Sequence, residues 1–237
     1  MRNFFDDSSI ERIRQVDDAF RGFLSPTVLG PPSWRPRDVK AESKYSIPYL
    51  PFVADDDLPI TTTNYDKCMS AEEKSRCIVN FYVDDAKINR LMSAPQRYVF
   101  GFEGFWGTTS PDFSLATGAP LQERVEATYL NRSIGLVFVR HGIRVVPHVR
   151  WSSPEDYEHC FAGVETGSVV AVSNHGNWRE PSERSIFLAG LKVLRERLQP
   201  STVILYGTHK DVVGDFLGPD IRICHFPSRQ ASVRGGR

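Results

Sequence analysis

From Cys77 onward, short apolar runs rich in β-branched residues alternate with amphipathic runs of helical spacing, and this alternation is the strongest constraint on the fold. Strands joined by helices run parallel, because the connecting helix carries the chain back to the edge where the previous strand began. Helices cover both faces of such a sheet, so its strands are apolar throughout. The pattern predicts an α/β domain with a mostly parallel sheet of about six strands, either an open sheet or an incomplete barrel.

The predicted strands are short and end at polar or glycine-containing turns. They cover residues 78–82, 98–105, 143–149, 168–173, 202–206 and 221–226. The predicted helices, where apolar residues recur three or four positions apart, cover residues 85–93, 120–140, 154–161, 181–198 and 211–217. Gly135 indicates a break in the second of these helices, because glycine weakens a helix interior.

Two further segments precede this domain. Ser8 and Glu11 form a capping-box pattern, which predicts a first helix over residues 9–24. Seven prolines in the segment 25–64 exclude a long helix or a central strand there, while its aromatic residues are unusual for a disordered linker. We therefore expect a helix and a Pro-rich arm over 1–66, laid on an α/β domain over 67–227, and a basic flexible tail over 228–237.

The charge balance and the cysteines limit the partners and the compartment. Lysine plus arginine and aspartate plus glutamate number 29 each, so no overall field draws the chain to nucleic acid or anionic lipid. The four cysteines contain no C-x-x-C pair, which favours a reduced protein. Asp6 and Asp7 stand where a signal peptide needs an apolar run, and no segment reaches the roughly 18 apolar residues of a membrane span. We predict a cytoplasmic protein with no membrane partner.

Polar and charged side chains follow the carboxyl ends of the predicted strands, where α/β proteins form their sites. If the chain is an enzyme, Arg150 and Lys210 would bind an anion, His175 would transfer the proton, and Asp112 would orient this proton transfer or hold a metal. The candidates for ligand binding are Ser114, Arg150, Trp151, Asn174 and Asn177.

The segment Ser173–Trp178 ends an apolar strand and supports two interpretations. In one, His175 acts as an acid or base near neutral pH and the two asparagines donate hydrogen bonds to a carbonyl or phosphate oxygen. In the other, asparagine and glycine form a left-handed turn and Trp178 packs the loop onto the domain. The sequence has no G-x-S-x-G, P-loop or G-x-G-x-x-G, so it lacks the signatures of common serine hydrolases, NTPases and dinucleotide-binding proteins.

Four histidines fall in or just after four successive predicted strands: His148, His175, His209 and His225. With Asp112 or Glu103 they would supply imidazole and carboxylate ligands to a metal. No ligand pair such as H-E-x-x-H accompanies them, and two of the four lie inside strands, as ordinary core residues do. We therefore predict no metal site and no cofactor.

An ordered set of short segments between residues 77 and 207 resembles an uncharacterised family from phages and other mobile elements, known as domain of unknown function 4417. The segments are Ser110–Ser114, Pro120–Leu121, Asn131–Arg132, Gly142–Pro147, Val149–Trp151, Val169–Gly176 and Val203–Gly207. The resemblance implies an intracellular protein of a phage or integrated element, where DNA replication, recombination and host takeover are common tasks. It also implies asparagine more often than histidine at the position of His148, which counts against a shared metal site.

Three hypotheses about function remain open. The first is a non-catalytic accessory protein that binds and regulates a nucleic-acid enzyme, such as a site-specific recombinase or a replication protein. Its arm and its tail of three arginines would engage the partner, and the tail could also contact DNA. The second is an enzyme that acts on a phosphate-bearing or nucleotide substrate at the carboxyl-end rim of the sheet. The third is a structural or host-modulating binding domain.

Overall fold

The computed structural model of the protein describes residues 39–83, 85–114 and 118–228. The predicted helix over 9–24, Asp84 and the tail from residue 229 onward lie outside the described residues. The strands are β1 (Ala41–Glu42), β2 (Ile47–Pro48), β3 (Thr61–Asn64), β4 (Cys77–Asn80), β5 (Gly107–Thr109), β6 (Val145–Val146), β7 (Val170–Ser173), β8 (Thr202–Gly207) and β9 (Arg222–Pro227). The α-helices are α1 (Asp85–Ser93), α2 (Leu121–Arg140), α3 (Pro181–Leu198) and α4 (Lys210–Leu217), and 3₁₀ helices cover Tyr65–Ser70, Lys74–Arg76, Pro95–Phe102 and Pro154–Glu158.

Seven of these strands form two parallel sheets, with the orders β3-β4-β5-β6 and β7-β8-β9, while β1 and β2 form a small antiparallel pair. The prediction of an α/β fold with parallel strands is confirmed, but one sheet of about six strands is wrong. On the side that faces β7, Pro147 has no N–H to donate and the N–H of Val169 is taken by the carbonyl of Val53, so only a single bridge between His148 and Ala171 connects the two sheets. The edge strand β3 lies in the Pro-rich segment, where four proline-free residues are enough for a short strand.

Alternate residues of the two sheets point into one shared apolar interior. This cluster contains Ile78 and Val146 from the first sheet and Ala171, Ile204 and Phe226 from the second. The residues between them point outward and are covered by helices: Val79 and Val145 pack with residues of α2, and Val170 and Val203 pack with residues of α3. The carboxyl ends of strands from both sheets therefore meet around one edge, which we call the carboxyl rim.

The described part of the Pro-rich arm is packed into the domain. Ile47, Leu50 and Val53 are buried, and Val53 accepts a hydrogen bond of 2.9 Å from the backbone N–H of Val169, just before β7. The indole N–H of Trp106, just before β5, donates to the carbonyl of Asp57 at 2.8 Å. The part of the arm around Val53 and Asp57 thus covers amino ends of the strands, opposite the carboxyl rim, whereas Leu50 packs against α2 at Gly135.

Two predictions about individual elements are wrong. Residues 98–105 are not a strand, because the chain forms the 3₁₀ helix Pro95–Phe102 and the strand follows at Gly107–Thr109. Val99 and Phe102 are three positions apart, which is the spacing of one turn, and both pack in the cluster beneath α2. The helix α2 also continues through Gly135 without a break, since the missing side chain there admits Leu50, whose Cδ2 lies 3.1 Å from where a Cβ would be.

Of the helices in the described residues, none has the length and apolar character needed to cross a membrane.

Candidate functional site

A buried polar network holds the loops of the carboxyl rim against α2. The hydroxyl of Ser110 donates to Oδ1 of Asn131 at 2.7 Å and accepts the N–H of His148 at 2.8 Å. Nδ2 of Asn131 donates to the carbonyl of Pro111 at 2.6 Å. The network therefore ties the segment after β5 and the segment after β6 to the same turn of one helix.

Arg132 extends this network although it is almost completely buried. Its guanidinium donates to three backbone carbonyls: that of Ala162 at 3.1 Å, that of His148 at 2.8 Å and that of Cys160 at 2.9 Å. Burial lowers the pKa of Arg132 to about 10, so the side chain is a cation at neutral pH. This cation therefore fixes the backbone at His148, where the rim residues 148–151 begin, relative to residues 160–162.

His148 points into the shared interior and is enclosed there. Its Nδ1 lies 3.4 Å from Oδ1 of Asp112, but the geometry is too poor for a hydrogen bond, and neither ring nitrogen has a hydrogen-bond partner among the described residues. The edge of the ring meets Tyr82, with 5.3 Å between centroids. Burial lowers the pKa of His148 to about 4, so the imidazole is neutral at pH 7.

The four candidate histidines lie in different surroundings. His175 is exposed, His209 stacks on Trp178 with 4.6 Å between ring centroids, and Nε2 of His225 lies 3.0 Å from the carbonyl of Gly207. Within residues 39–83, 85–114 and 118–228, no group of three or more His, Cys, Asp or Glu side chains is arranged to hold a metal ion.

Asp112 and Arg150 form an ion pair at the rim. Nη1 of Arg150 lies 3.0 Å from both carboxylate oxygens of Asp112, whose side chain is 9% exposed. Both residues line a small crevice beside α2, together with His148. Arg150 alone of the two also lines a much larger cavity, which we call the outer cavity. The guanidinium therefore lies between the crevice and the outer cavity.

The outer cavity has a volume of about 360 Å³ and opens between the segment after His148 and the loop that joins β7 to α3. Four of the candidate residues line it: Arg150, Trp151, His175 and Asn177. Four others do not: Ser114, Asp112, Asn174 and Lys210. Ser114 is exposed near the end of the loop after β5, and Lys210 begins α4.

Asn174 has a structural partner that accounts for its amide. Its Nδ2 donates to the carbonyl of Thr208 at 2.5 Å, and its Oδ1 accepts the N–H of Thr208 at 2.9 Å. The turn after β8 can approach this closely because residue 207 is glycine, with φ +142° and a Cβ position 1.8 Å from Oδ1 of Asn174. Asn174 thus joins the turns after β7 and β8.

Trp151 forms the apolar floor of the cavity. Its ring stacks on Phe187 of α3, with 5.6 Å between centroids and an interplanar angle of 12°, and its indole N–H donates to the carbonyl of Ile186 at 3.2 Å. The ring fits against α3 only because residue 190 is glycine, since a Cβ there would lie 2.1 Å from the indole.

A second buried polar network supports the wall of the cavity at Ser152. Oδ2 of Asp156 accepts hydrogen bonds from the backbone N–H of Ser152 at 2.7 Å and from its hydroxyl at 2.9 Å, and Oδ1 pairs with Arg124. Burial alone would raise the pKa of Asp156, but hydrogen bonds from His159 and Ser152 and the charge of Arg124 lower it to about 2. Asp156 is therefore a fixed anion that shapes this loop.

Sequence reasoning missed three charged residues of the cavity: Arg179, Glu180 and Glu183. They lie after Trp178 and in the first turn of α3, where acidic residues are common for reasons of helix stability alone. The signal that could have identified them is position, because the loop that contributes His175 and Asn177 leads directly into this turn.

The chain is similar to one protein family and to proteins of two mycobacteriophages. The model of the family described as Domain of unknown function (DUF4417) matches residues 39–226. The curated relatives include the Gene 1 protein of Mycobacterium phage L5, which is 31% identical over 129 residues, or 54% of this chain and 56% of that protein. The Gene 1 protein of Mycobacterium phage D29 is also 31% identical over 129 residues, covering 54% of this chain and 48% of that protein. The chain thus spans about half the length of the curated relatives it matches, and no solved structure matches it.

Proposed function

The chain belongs to the DUF4417 family, which has relatives in mycobacteriophages, and from that premise we propose that it is a phage accessory protein that works by binding. Its partner in this proposal is a nucleic-acid enzyme, such as a site-specific recombinase or a replication protein, whose activity it regulates.

The observation that carries this proposal is the separation of the three candidates for catalysis. His175 lines the outer cavity, Asp112 lines only the crevice beside α2, and Lys210 lines neither. Groups that share one reaction must all come within hydrogen-bond distance of one substrate. An arrangement in which only one of the three faces the cavity favours binding over catalysis.

The charge balance supports a protein partner as the main target. With 29 basic and 29 acidic residues, the chain has no net field to hold it on DNA, so association with DNA would follow from the partner or from a local patch. The predicted helix over 9–24 and the arginines of the tail lie outside the described residues, and their roles stay predictions.

Reconstitution tests this proposal directly. The purified full chain is added to the recombinase and, separately, to replication proteins encoded by the same phage, and both complex formation and enzyme activity are measured. We expect a stoichiometric complex with one of them and a change in the direction or rate of its reaction. Deletion of residues 1–24 should weaken the complex. Failure of every such enzyme to bind or to change its activity at about 10 µM would reject the proposal.

One observation favours a second candidate, an enzyme acting on a phosphate-bearing or nucleotide substrate at the carboxyl rim. The cavity of about 360 Å³ is of ligand size and contains two arginines beside His175 and Asn177. Turnover of a nucleotide by the full chain, lost in the His175→Asn variant, would support this candidate over the first.

A further inference from the structure

We propose that the outer cavity of the carboxyl rim binds a ribonucleoside monophosphate. Binding of this kind requires neither a protein partner nor a reaction, so the proposal is independent of the regulatory function. It also names the ligand class that the second candidate function would use.

The lining of the cavity contains charged groups of both signs. Arg150 and Arg179 supply two guanidinium groups, which bind phosphate oxygens through paired, charge-assisted hydrogen bonds. Glu180 and Glu183 supply two carboxylates from the beginning of α3. A simple anion would match the first pair of side chains and be repelled by the second.

A ribonucleotide matches both pairs of side chains. Its phosphate can bind the arginines. Its ribose hydroxyls are neutral and can donate hydrogen bonds to a carboxylate, as they do to the acidic residue of dinucleotide-binding proteins. Asn177, which also lines the cavity, offers both a donor and an acceptor. The requirement for an anionic group and for hydroxyl donors in one molecule therefore points to a sugar phosphate with a ribose.

The floor of the cavity provides the surface for a base. Trp151, Ile186 and Phe187 line it, and the rings of Trp151 and Phe187 are stacked on each other. Apolar and aromatic side chains beside a few polar groups are the usual lining of a site for an aromatic ligand. A volume of about 360 Å³ lies at the lower end of the range for small-molecule sites, which suits one nucleotide rather than a dinucleotide.

Asp112 orients the guanidinium of Arg150 for binding a phosphate. Asp112 contacts one terminal nitrogen of the guanidinium, at 3.0 Å from each carboxylate oxygen, and so limits the directions that the side chain can take. A cation that is already oriented loses less conformational entropy when a phosphate binds. This contact leaves Asp112 as a positioning residue and Arg150 as the group that touches the ligand.

Isothermal titration calorimetry of the full chain tests the proposal with four ribonucleoside monophosphates, the matching deoxynucleotides, the nucleosides and inorganic phosphate. We expect at least one ribonucleotide to bind with a Kd below about 1 mM, and its nucleoside, its deoxynucleotide and phosphate to bind at least about fivefold more weakly. Arg179→Gln should weaken the ribonucleotide about tenfold. Glu183→Gln should weaken the ribonucleotide, whereas inorganic phosphate should bind at least as tightly as to the unchanged chain, because a repelling carboxylate is removed.

Arg184→Gln and Glu196→Gln are the matched controls, since they make the same charge changes at exposed positions of α3 outside the cavity. Circular dichroism of each variant establishes that it is folded. The proposal is overturned if no ribonucleotide binds below about 5 mM, if a nucleoside or phosphate alone binds as tightly as the nucleotide, or if the control variants weaken binding as much as the cavity variants do.

Discussion

Nη1 of Arg150 lies 3.0 Å from each carboxylate oxygen of Asp112, which links the segment after β5 to the wall of the outer cavity. Asp112 is nearly buried, whereas the side chain of Arg150 is 38% exposed. Both residues also line the crevice beside α2, together with His148. The same two charges therefore act both on the cavity and on a buried imidazole.

These two charges act on His148 in opposite directions. The carboxylate of Asp112 raises the pKa of His148 and the guanidinium of Arg150 lowers it, although both effects are smaller than that of burial. We predict that Arg150→Gln raises the pKa of His148 from about 4, and that Asp112→Asn lowers it further. Titration of the imidazole C–H signals by NMR measures both. Shifts of the same sign in the two variants would contradict this geometry.

The depressed pKa of His148 also predicts how stability depends on pH. The unfolded chain binds a proton at His148 near pH 6.5 and the folded chain only near pH 4. Between these values the unfolded state holds more protons, so the contribution is complete above pH 6.5 and is lost as the pH falls towards 4, by about 3 kcal/mol in the free energy of unfolding.

Urea unfolding at a series of pH values tests this prediction. In His148→Asn the slope between pH 6.5 and 4 should be reduced, whatever the absolute stability of the variant. The loss of stability due to Asp156 should remain. The pKa of Asp156 falls from 3.8 to about 2 on folding, and this difference affects the free energy of unfolding only at lower pH. His175→Asn changes an exposed histidine and should retain the slope. An unchanged slope in His148→Asn would show that the ring is not enclosed.

Parts of this fold follow from sequence because local and long-range preferences agree there. The predicted helix 181–198 matches α3 at both ends, since Pro181 is favoured at the first helical position and the buried face repeats at helical spacing. Residues 98–105 were assigned wrongly because a short apolar run with aromatic residues fits either a strand or a turn of helix. The two-sheet arrangement depends in part on one missing donor, at Pro147, whose effect on pairing is visible only once the partner strand is known.

The cavity was only partly predictable for a different reason. Strand ends identify which loops meet, and they indicated Arg150, Trp151, His175 and Asn177, which line the cavity. Side-chain direction depends on the path of the loop, and the positive φ of +93° at Gly176 turns the chain so that Arg179 also reaches the cavity. Asn174 and Asn177 are asparagines of the same loop and cannot be distinguished in the sequence, yet the amide of Asn174 is hydrogen-bonded to Thr208 and does not line the cavity.

Arg132 should be among the most sensitive residues of the domain, although it touches no cavity ligand in the proposed site. Arg132→Met would leave three buried carbonyls without their donor, and we expect a loss of about 3 to 5 kcal/mol in the free energy of unfolding. Arg132→Lys should be almost as damaging, because an ammonium cannot match the fixed fork of the guanidinium. Chemical denaturation measures both, with the exposed Arg184→Met as control. A loss below about 1 kcal/mol in Arg132→Met would show that these hydrogen bonds are dispensable.

Gly190 and Gly214 both lie inside helices, and replacing each by alanine should have opposite effects. Alanine generally stabilises a helix interior relative to glycine by about 0.5 to 1 kcal/mol. At Gly214, in α4, a Cβ would make an ordinary contact of 3.5 Å with Cδ1 of Ile223, so Gly214→Ala should be neutral or stabilising.

At Gly190, in α3, a Cβ would lie 2.1 Å from the indole of Trp151, which cannot move without losing its stacking on Phe187. Gly190→Ala should therefore destabilise the protein by about 1 to 3 kcal/mol and shift its tryptophan fluorescence as the floor of the cavity is displaced. Thermal unfolding and emission spectra of the two variants give the comparison, and equal stability of both would mean that Trp151 does not pack against α3.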